Sequence, residues 1–132
     1  MGKNLIQQAR GRGGPRYRAP SFRYKGATKY TKYEEGTLMG KIIDLIHCQG
    51  HSAPLMQVVY ENGSKVLMQA PEGIRVGDQV ETGDNVGIKN GNVMPLKNIP
   101  EGMSIYNIES YPGDGGRFVR SSGGFAKIIT KM

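Results

Sequence analysis

The stretch Pro112 to Phe125, PGDGGRFVRSSGGF, sets five glycines around two arginines. Gly113, Gly115, Gly116, Gly123 and Gly124 can take positive φ and let a backbone approach a bulky partner closely, while Arg117 and Arg120 present forked donors that match phosphate oxygens. Such a loop is expected to press its backbone onto a polyanion. The distribution of charge along the chain favours that reading over a long hairpin loop with two solvated arginines.

Other chemistry is poorly supplied. His47-Cys48-Gln49-Gly50-His51 brings three soft ligands within five residues, but it uses up both histidines and the single cysteine, and a structural zinc site wants a fourth ligand. A strand-to-strand loop is expected there, with His51 available to phosphate and Cys48 a small packing residue. The acidic residues fall singly in turns, and Ser121 and Ser122 have no histidine nearby in sequence, so neither paired carboxylates nor an activated serine is offered. The glycine loop lacks the Gly-Lys-Ser/Thr ending of a P-loop and opens no helix. The chain is therefore not expected to be an enzyme, nor to take a cofactor, a metal or a small-molecule substrate.

The net charge is +7, and its placement matters more than its size. Residues 1–33 hold nine basic residues and no acid, whereas the remaining nine basic and eleven acidic residues leave −2. A basic arm on a nearly neutral body is the electrostatic footprint of nucleic-acid binding, and the apolar half that a membrane-binding segment needs is missing. The lone cysteine excludes an internal disulfide and fits a reducing compartment. With no signal-peptide core and no apolar run long enough to span a bilayer, a cytoplasmic protein without a membrane partner is expected.

These residues must be positioned by a body of short strands. Residues 1–33 show no apolar periodicity, and Tyr17, Phe22, Tyr24, Tyr30 and Tyr33 alternate with Arg and Lys, so the arm is expected to be disordered alone and to order on its partner. Thr37 to His47 reads as a long strand bent at Gly40, Pro54 to Tyr60 as a second, and Lys65 to Ala70 as a third, the last two joined through the hairpin-forming Asn62-Gly63. Val76 to Val80, Asn85 to Ile88 and Asn92 to Met94 follow as short extended pieces. With no convincing helix, these imply an all-β, five-stranded OB-fold barrel over residues 34–96. Beyond Pro95 to Pro100 only two runs, Met103 to Glu109 and Phe125 to Thr130, flank the glycine loop. Two strands cannot close a barrel, so residues 97–132 are expected to belong to a longer protein or to be completed by a partner.

An ordered series of motifs, IIDLIH followed by SAP, then QAPEG, VGD, GNVMPL, IPEG and NIESYPGDGGRFVRSSG, resembles the universal large-subunit ribosomal protein family conventionally called L-two. RAPSFRYKG, Arg18 to Gly26, is similar to the archaeal form of its N-terminus. The resemblance implies a basic RNA-binding extension, an OB-fold barrel and the first strands of an SH3-like barrel. It further implies binding to large-subunit ribosomal RNA beside neighbouring ribosomal proteins, in the ribosome, with a role in subunit association and in organising the peptidyl-transferase region. The candidate RNA-binding residues are Arg10, Arg12, Arg16, Arg18, Arg23 and Lys25 in the arm, Arg117 and Arg120 in the loop, and Lys127 beyond it. His51 joins them at a position where the family often has an RNA-contacting arginine. Arg120→Ala is expected to weaken RNA binding and leave the fold intact. The competing reading is a free-standing OB-fold module for single-stranded RNA, which would bind through its barrel face with the arm dispensable.

Overall fold

The computed structural model describes residues 2–31 and 36–132. Lys32, Tyr33 and the expected boundary at Glu34 lie outside the described residues. Four strands, β1 (Thr37–Ile46), β2 (Leu55–Tyr60), β3 (Lys65–Gln69) and β4 (Gln79–Gly83), form one antiparallel sheet in the order β3-β2-β1-β4. A two-stranded sheet, β5 (Ser104–Ile105) with β6 (Ala126–Lys127), follows.

β1 is the spine because its first half pairs on both edges. Gly40 stands opposite Tyr60 of β2 and Val80 of β4, whereas from Asp44 onward only β2 remains alongside. The register shifts between Ile42 and Asp44, so the irregularity expected at Gly40 falls at Ile43. Gly40 instead makes room, since a Cβ there would lie 2.6 Å from Tyr60 Cδ1 and 2.9 Å from Val58 Cγ1. Its missing side chain is the space in which the Tyr60 ring packs.

The β2–β3 hairpin forms where the Asn-Gly pair predicts it. Gly63 takes φ 88° and donates its N–H to the Tyr60 carbonyl at 2.9 Å, while Ser64 N–H donates to Asn62 Oδ1 at 2.9 Å. The core gathers on one face from Ile42, Met56, Val58, Tyr60, Met68 and Val80, with Leu38, Val66, Ile74 and Val93 packed at its margin. Val93 reaches this margin through a parallel bridge to Thr82, with Val93 N–H on the Glu81 carbonyl at 2.9 Å. That single bridge is what the described residues show of the expected fifth strand, and residues 85–88 form none.

The expected arm divides into two parts. Residues 6–23 form three 3-10 turns, Ile6–Arg12, Pro15–Tyr17 and Ser21–Arg23, which bury nothing. Residues 24–31, by contrast, lie against the sheet as a strap. Lys29 N–H donates to the Leu67 carbonyl of β3 at 3.1 Å, Thr28 is 7% exposed, and Tyr30 packs on the core cluster. This part of the basic run was expected to be unstructured by itself; its Thr and Tyr side chains supply the buried surface that its charges conceal.

The C-terminal strands are much shorter than the runs that predict them. Asn107 and Val119 both take positive φ, 54° and 58°, and break the extended path just beyond β5 and before β6. An isolated bridge between Ile108 and Phe118 then carries the pairing into the glycine loop.

Candidate nucleic-acid interface

The basic residues of the arm point outward. Arg10, Arg12, Arg16, Arg18, Arg23 and Lys25 are all exposed, and the Arg23 guanidinium carbon lies 5.3 Å from the centre of the Phe22 ring. A guanidinium already stacked on an exposed ring is a platform to which a base or a phosphate can be added. No ion pair among the described residues ties down an arm charge. Lys127 on β6 is exposed as well.

The glycine loop is built differently from the open anion cradle expected of it. The Glu109 carboxylate accepts the N–H groups of Gly113 at 3.3 Å and Gly115 at 3.1 Å. The Asp114 carboxylate accepts those of Ser110 at 2.8 Å, Tyr111 at 3.4 Å and Gly116 at 3.0 Å. The loop's own acids thus occupy the amides that a phosphate would need. Burial works against the charged form of Asp114, but the N–H groups of Gly116, Ser110 and Tyr111 and the nearby Arg117 outweigh it and hold the carboxyl below its ordinary value. Arg117 keeps Nε 3.7 Å from Asp114 and leaves its side chain 64% exposed.

Arg120, three residues on, turns inward. Its guanidinium donates to Thr28 Oγ1 of the strap. The Gln69 amide, 2% exposed at the end of β3, faces the same guanidinium. Oriented so that its oxygen faces the donors around it, the amide accepts from Arg120 Nε at 3.1 Å, from Arg120 Nη2 at 3.3 Å and from Thr28 Oγ1 at 3.1 Å. Tyr30 OH donates to the Asn107 carbonyl, and Tyr106 OH to the Gln69 carbonyl at 3.1 Å. Gly116 closes the cluster, since a Cβ on it would lie 2.2 Å from Asn107 Oδ1. Strap, sheet and C-terminal loop therefore meet in one buried polar junction.

Burial raises the phenols around this junction. Tyr60 is pushed up to about 12, as is Tyr106, which also feels Tyr60, and Tyr30 is raised further by burial and by Tyr106, Glu109 and Tyr60 against the opposing Arg120. A substitution at Arg120 removes bonds from Thr28 and Gln69. The expectation that Arg120→Ala leaves the fold untouched accordingly gives way.

The His51 candidate sits beside this junction. Its Nδ1 faces Cys48 Sγ at 3.3 Å, and Lys25 N–H donates to the same sulfur at 3.3 Å. The Cys48 thiol is lowered, first by that Lys25 N–H, then against the cost of burial, with further help from the N–H groups of Gly50, Gly26 and His51. His51 is lowered by burial and by the charge of Arg120, which favours the neutral ring at pH 7. Cys48 is thus part of the strap's seat as well as a packing residue. Among the described residues no group of three or more His, Cys, Asp or Glu could hold a metal ion.

Of the predicted site residues, the six of the arm, Arg117 and Lys127 share exposure, while Arg120 and His51 are turned toward the body. Thr28, Tyr30, Gln69, Tyr106 and Asn107 escaped the sequence reading, because their meeting joins segments up to 92 residues apart. The self-bonding of the glycine loop had a local signal in Glu109 and Asp114, two acids beside the glycines.

Comparison with known proteins agrees with the motifs. The family description "Ribosomal Proteins L2, C-terminal domain" matches residues 89–132. The large ribosomal subunit protein uL2 of Methanothermobacter thermautotrophicus is 51% identical over 98% of this chain and 56% of its own length. The uL2 proteins of Methanosphaera stadtmanae and Methanococcus vannielii are each 50% identical over 98% of this chain and 56% of their own length. The chain spans just over half the length of these relatives. With about half of its residues identical to theirs along nearly its whole length, and its motifs in the same order, the chain is similar to the archaeal uL2 proteins of the large ribosomal subunit.

Proposed function

We propose that the chain is a structural constituent of the large ribosomal subunit that binds and stabilises folded large-subunit ribosomal RNA. In this role it supports subunit association and the peptidyl-transferase region from within the cytoplasmic ribosome, without catalytic chemistry of its own. The observation that carries the reading is the arm: residues 2–23 are exposed apart from two half-buried glycines, carry no acid, and are rooted on the sheet through the strap at residues 24–31. Affinity then comes from phosphate neutralisation, and selectivity from the fixed shape behind it.

The OB-fold assignment of the sheet is supported by the bent β1 shared between β2 and β4. The assignment of residues 97–132 to an SH3-like barrel rests on the family match over residues 89–132. The test is binding of the chain to folded large-subunit ribosomal RNA beside a single-stranded RNA of equal length. Tighter binding to the folded RNA is expected. Equal affinity for both would transfer the reading to a single-stranded RNA module.

A further inference from the structure

The chain holds two Asn-Gly pairs, Asn62-Gly63 and Asn90-Gly91, and one Asp-Gly pair, Asp114-Gly115. In each, the glycine has no Cβ to hold its nitrogen away from the side-chain carbonyl carbon of the residue before it. The fold leaves one of the three pairs free to use that approach. The Asp114 carboxylate is held by the N–H groups of Ser110, Tyr111 and Gly116, and the Gly115 N–H is spent on Glu109. At the β2–β3 hairpin both reacting groups are engaged: Asn62 Oδ1 accepts the Ser64 N–H at 2.9 Å, and the Gly63 N–H donates to the Tyr60 carbonyl at 2.9 Å. Asn90 is exposed and tied by one long bond, from Nδ2 to the Glu72 carbonyl at 3.3 Å. Among the described residues no hydrogen bond engages the Gly91 N–H.

We propose that Asn90-Gly91 is the site at which the folded chain deamidates. The Gly91 nitrogen attacks Asn90 Cγ and forms a C–N bond; the Cγ–Nδ2 bond breaks, and Nδ2 leaves as ammonia with the proton given up by Gly91. Water then opens the cyclic imide. Addition at Cγ yields an ordinary aspartate, and addition at the main-chain carbonyl carbon yields isoaspartate, with the chain rerouted through the side chain. Much of the local structure hangs on this turn. Asn92 N–H donates to the Lys89 carbonyl at 3.2 Å, Asn92 Oδ1 accepts the Glu81 N–H at 3.0 Å, and Val93 N–H donates to the Glu81 carbonyl at 2.9 Å. Gly91 packs so closely on β4 that a Cβ there would lie 2.9 Å from Val80 Cγ1. An isoaspartyl link adds a carbon to the backbone where there is no room for one, and so pushes Asn92 and Val93 away from the edge of β4. Either product loses the amide donor to Glu72.

The test incubates the full chain at mildly alkaline pH, folded and in urea, and follows both asparagines by peptide mass spectrometry, with enzymatic methylation of isoaspartate as a second readout. In the folded chain Asn90 is expected to convert roughly tenfold faster than Asn62, about the worth of the hydrogen bond that Gly63 must give up. In urea the two are expected to convert at like rates. Folded chain carrying isoaspartate at position 90 is expected to exchange the Val93 amide faster than untreated chain, with the amides of β2 unchanged. The proposal is overturned if Asn62 or Asp114 converts as fast as Asn90 in the folded chain, or if Asn90 stays intact there while the unfolded chain converts. The same ratio in urea as in the folded chain equally overturns it, because the preference then belongs to the local sequence and not to the fold. Unchanged Val93 exchange in the isoaspartyl chain overturns the effect on the edge of β4.

Discussion

The guanidinium of Arg120 bonds the hydroxyl of Thr28 across 92 residues of sequence, and so joins the glycine loop to the base of the basic arm. This contact turns three segments with separate sequence signatures into one body. It also separates the two arginines of the loop by environment: Arg117 is exposed, and Arg120 is half-buried against Thr28 and Gln69.

Gly40→Ala is expected to destabilise the sheet. The added methyl would lie 2.6 Å from the Tyr60 ring, at a register position shared by β1, β2 and β4. Overpacking of this kind costs about 1–3 kcal/mol, to be read as a lower urea midpoint at constant slope. An unchanged midpoint would show that the Tyr60 ring shifts freely.

Tyr30, Tyr60 and Tyr106 are expected to ionise later than ordinary phenols in an ultraviolet titration of the chain's seven tyrosines. Their folded-state values lie above the unfolded value of about 10. The unfolded chain therefore loses these protons first, and the stability they contribute is fully present below pH ~10. It falls as pH rises toward the value of about 12 that Tyr60 and Tyr106 reach when folded. Melting temperatures that stay flat across that window would contradict the burial of these rings.

The imidazole of His51 is expected to titrate below the ordinary value of about 6.5 when followed by NMR. Burial is the larger cause and the charge of Arg120 the second, so Arg120→Met should recover part of the shift. Because the unfolded chain binds the proton more readily in this window, stability rises with pH up to about 6.5 and is lost as pH falls through the lowered value. Titration at or above 6.5 would place His51 away from the junction.

Much of the sheet was legible because its signals are local. The branched apolar runs of β1 to β3 and the Asn62-Gly63 turn each declare themselves within a few residues. The bend in β1 was misplaced from Ile43 to Gly40, since a glycine in a strand reads alike as a kink or as room for a neighbour's ring. The polar junction left no such trace. Thr28 and Tyr30 sit among lysines in a run that looks wholly solvated, and their partners Gln69, Asn107 and Arg120 follow no period. The arm's electrostatics were legible from composition alone, and the structure keeps the arm charges of the described residues exposed.

The most direct test of the account is the salt dependence of binding to folded large-subunit ribosomal RNA, compared between the wild-type chain and a full-length variant with Arg10, Arg12, Arg16, Arg18 and Arg23 changed to Gln. If the arm supplies the phosphate contacts, the slope of log affinity against log salt should fall by roughly 3.5–4.5, at about 0.7–0.9 for each charge removed. A slope that stays at the wild-type value would show that RNA binding lies elsewhere on the chain, and would contradict the account.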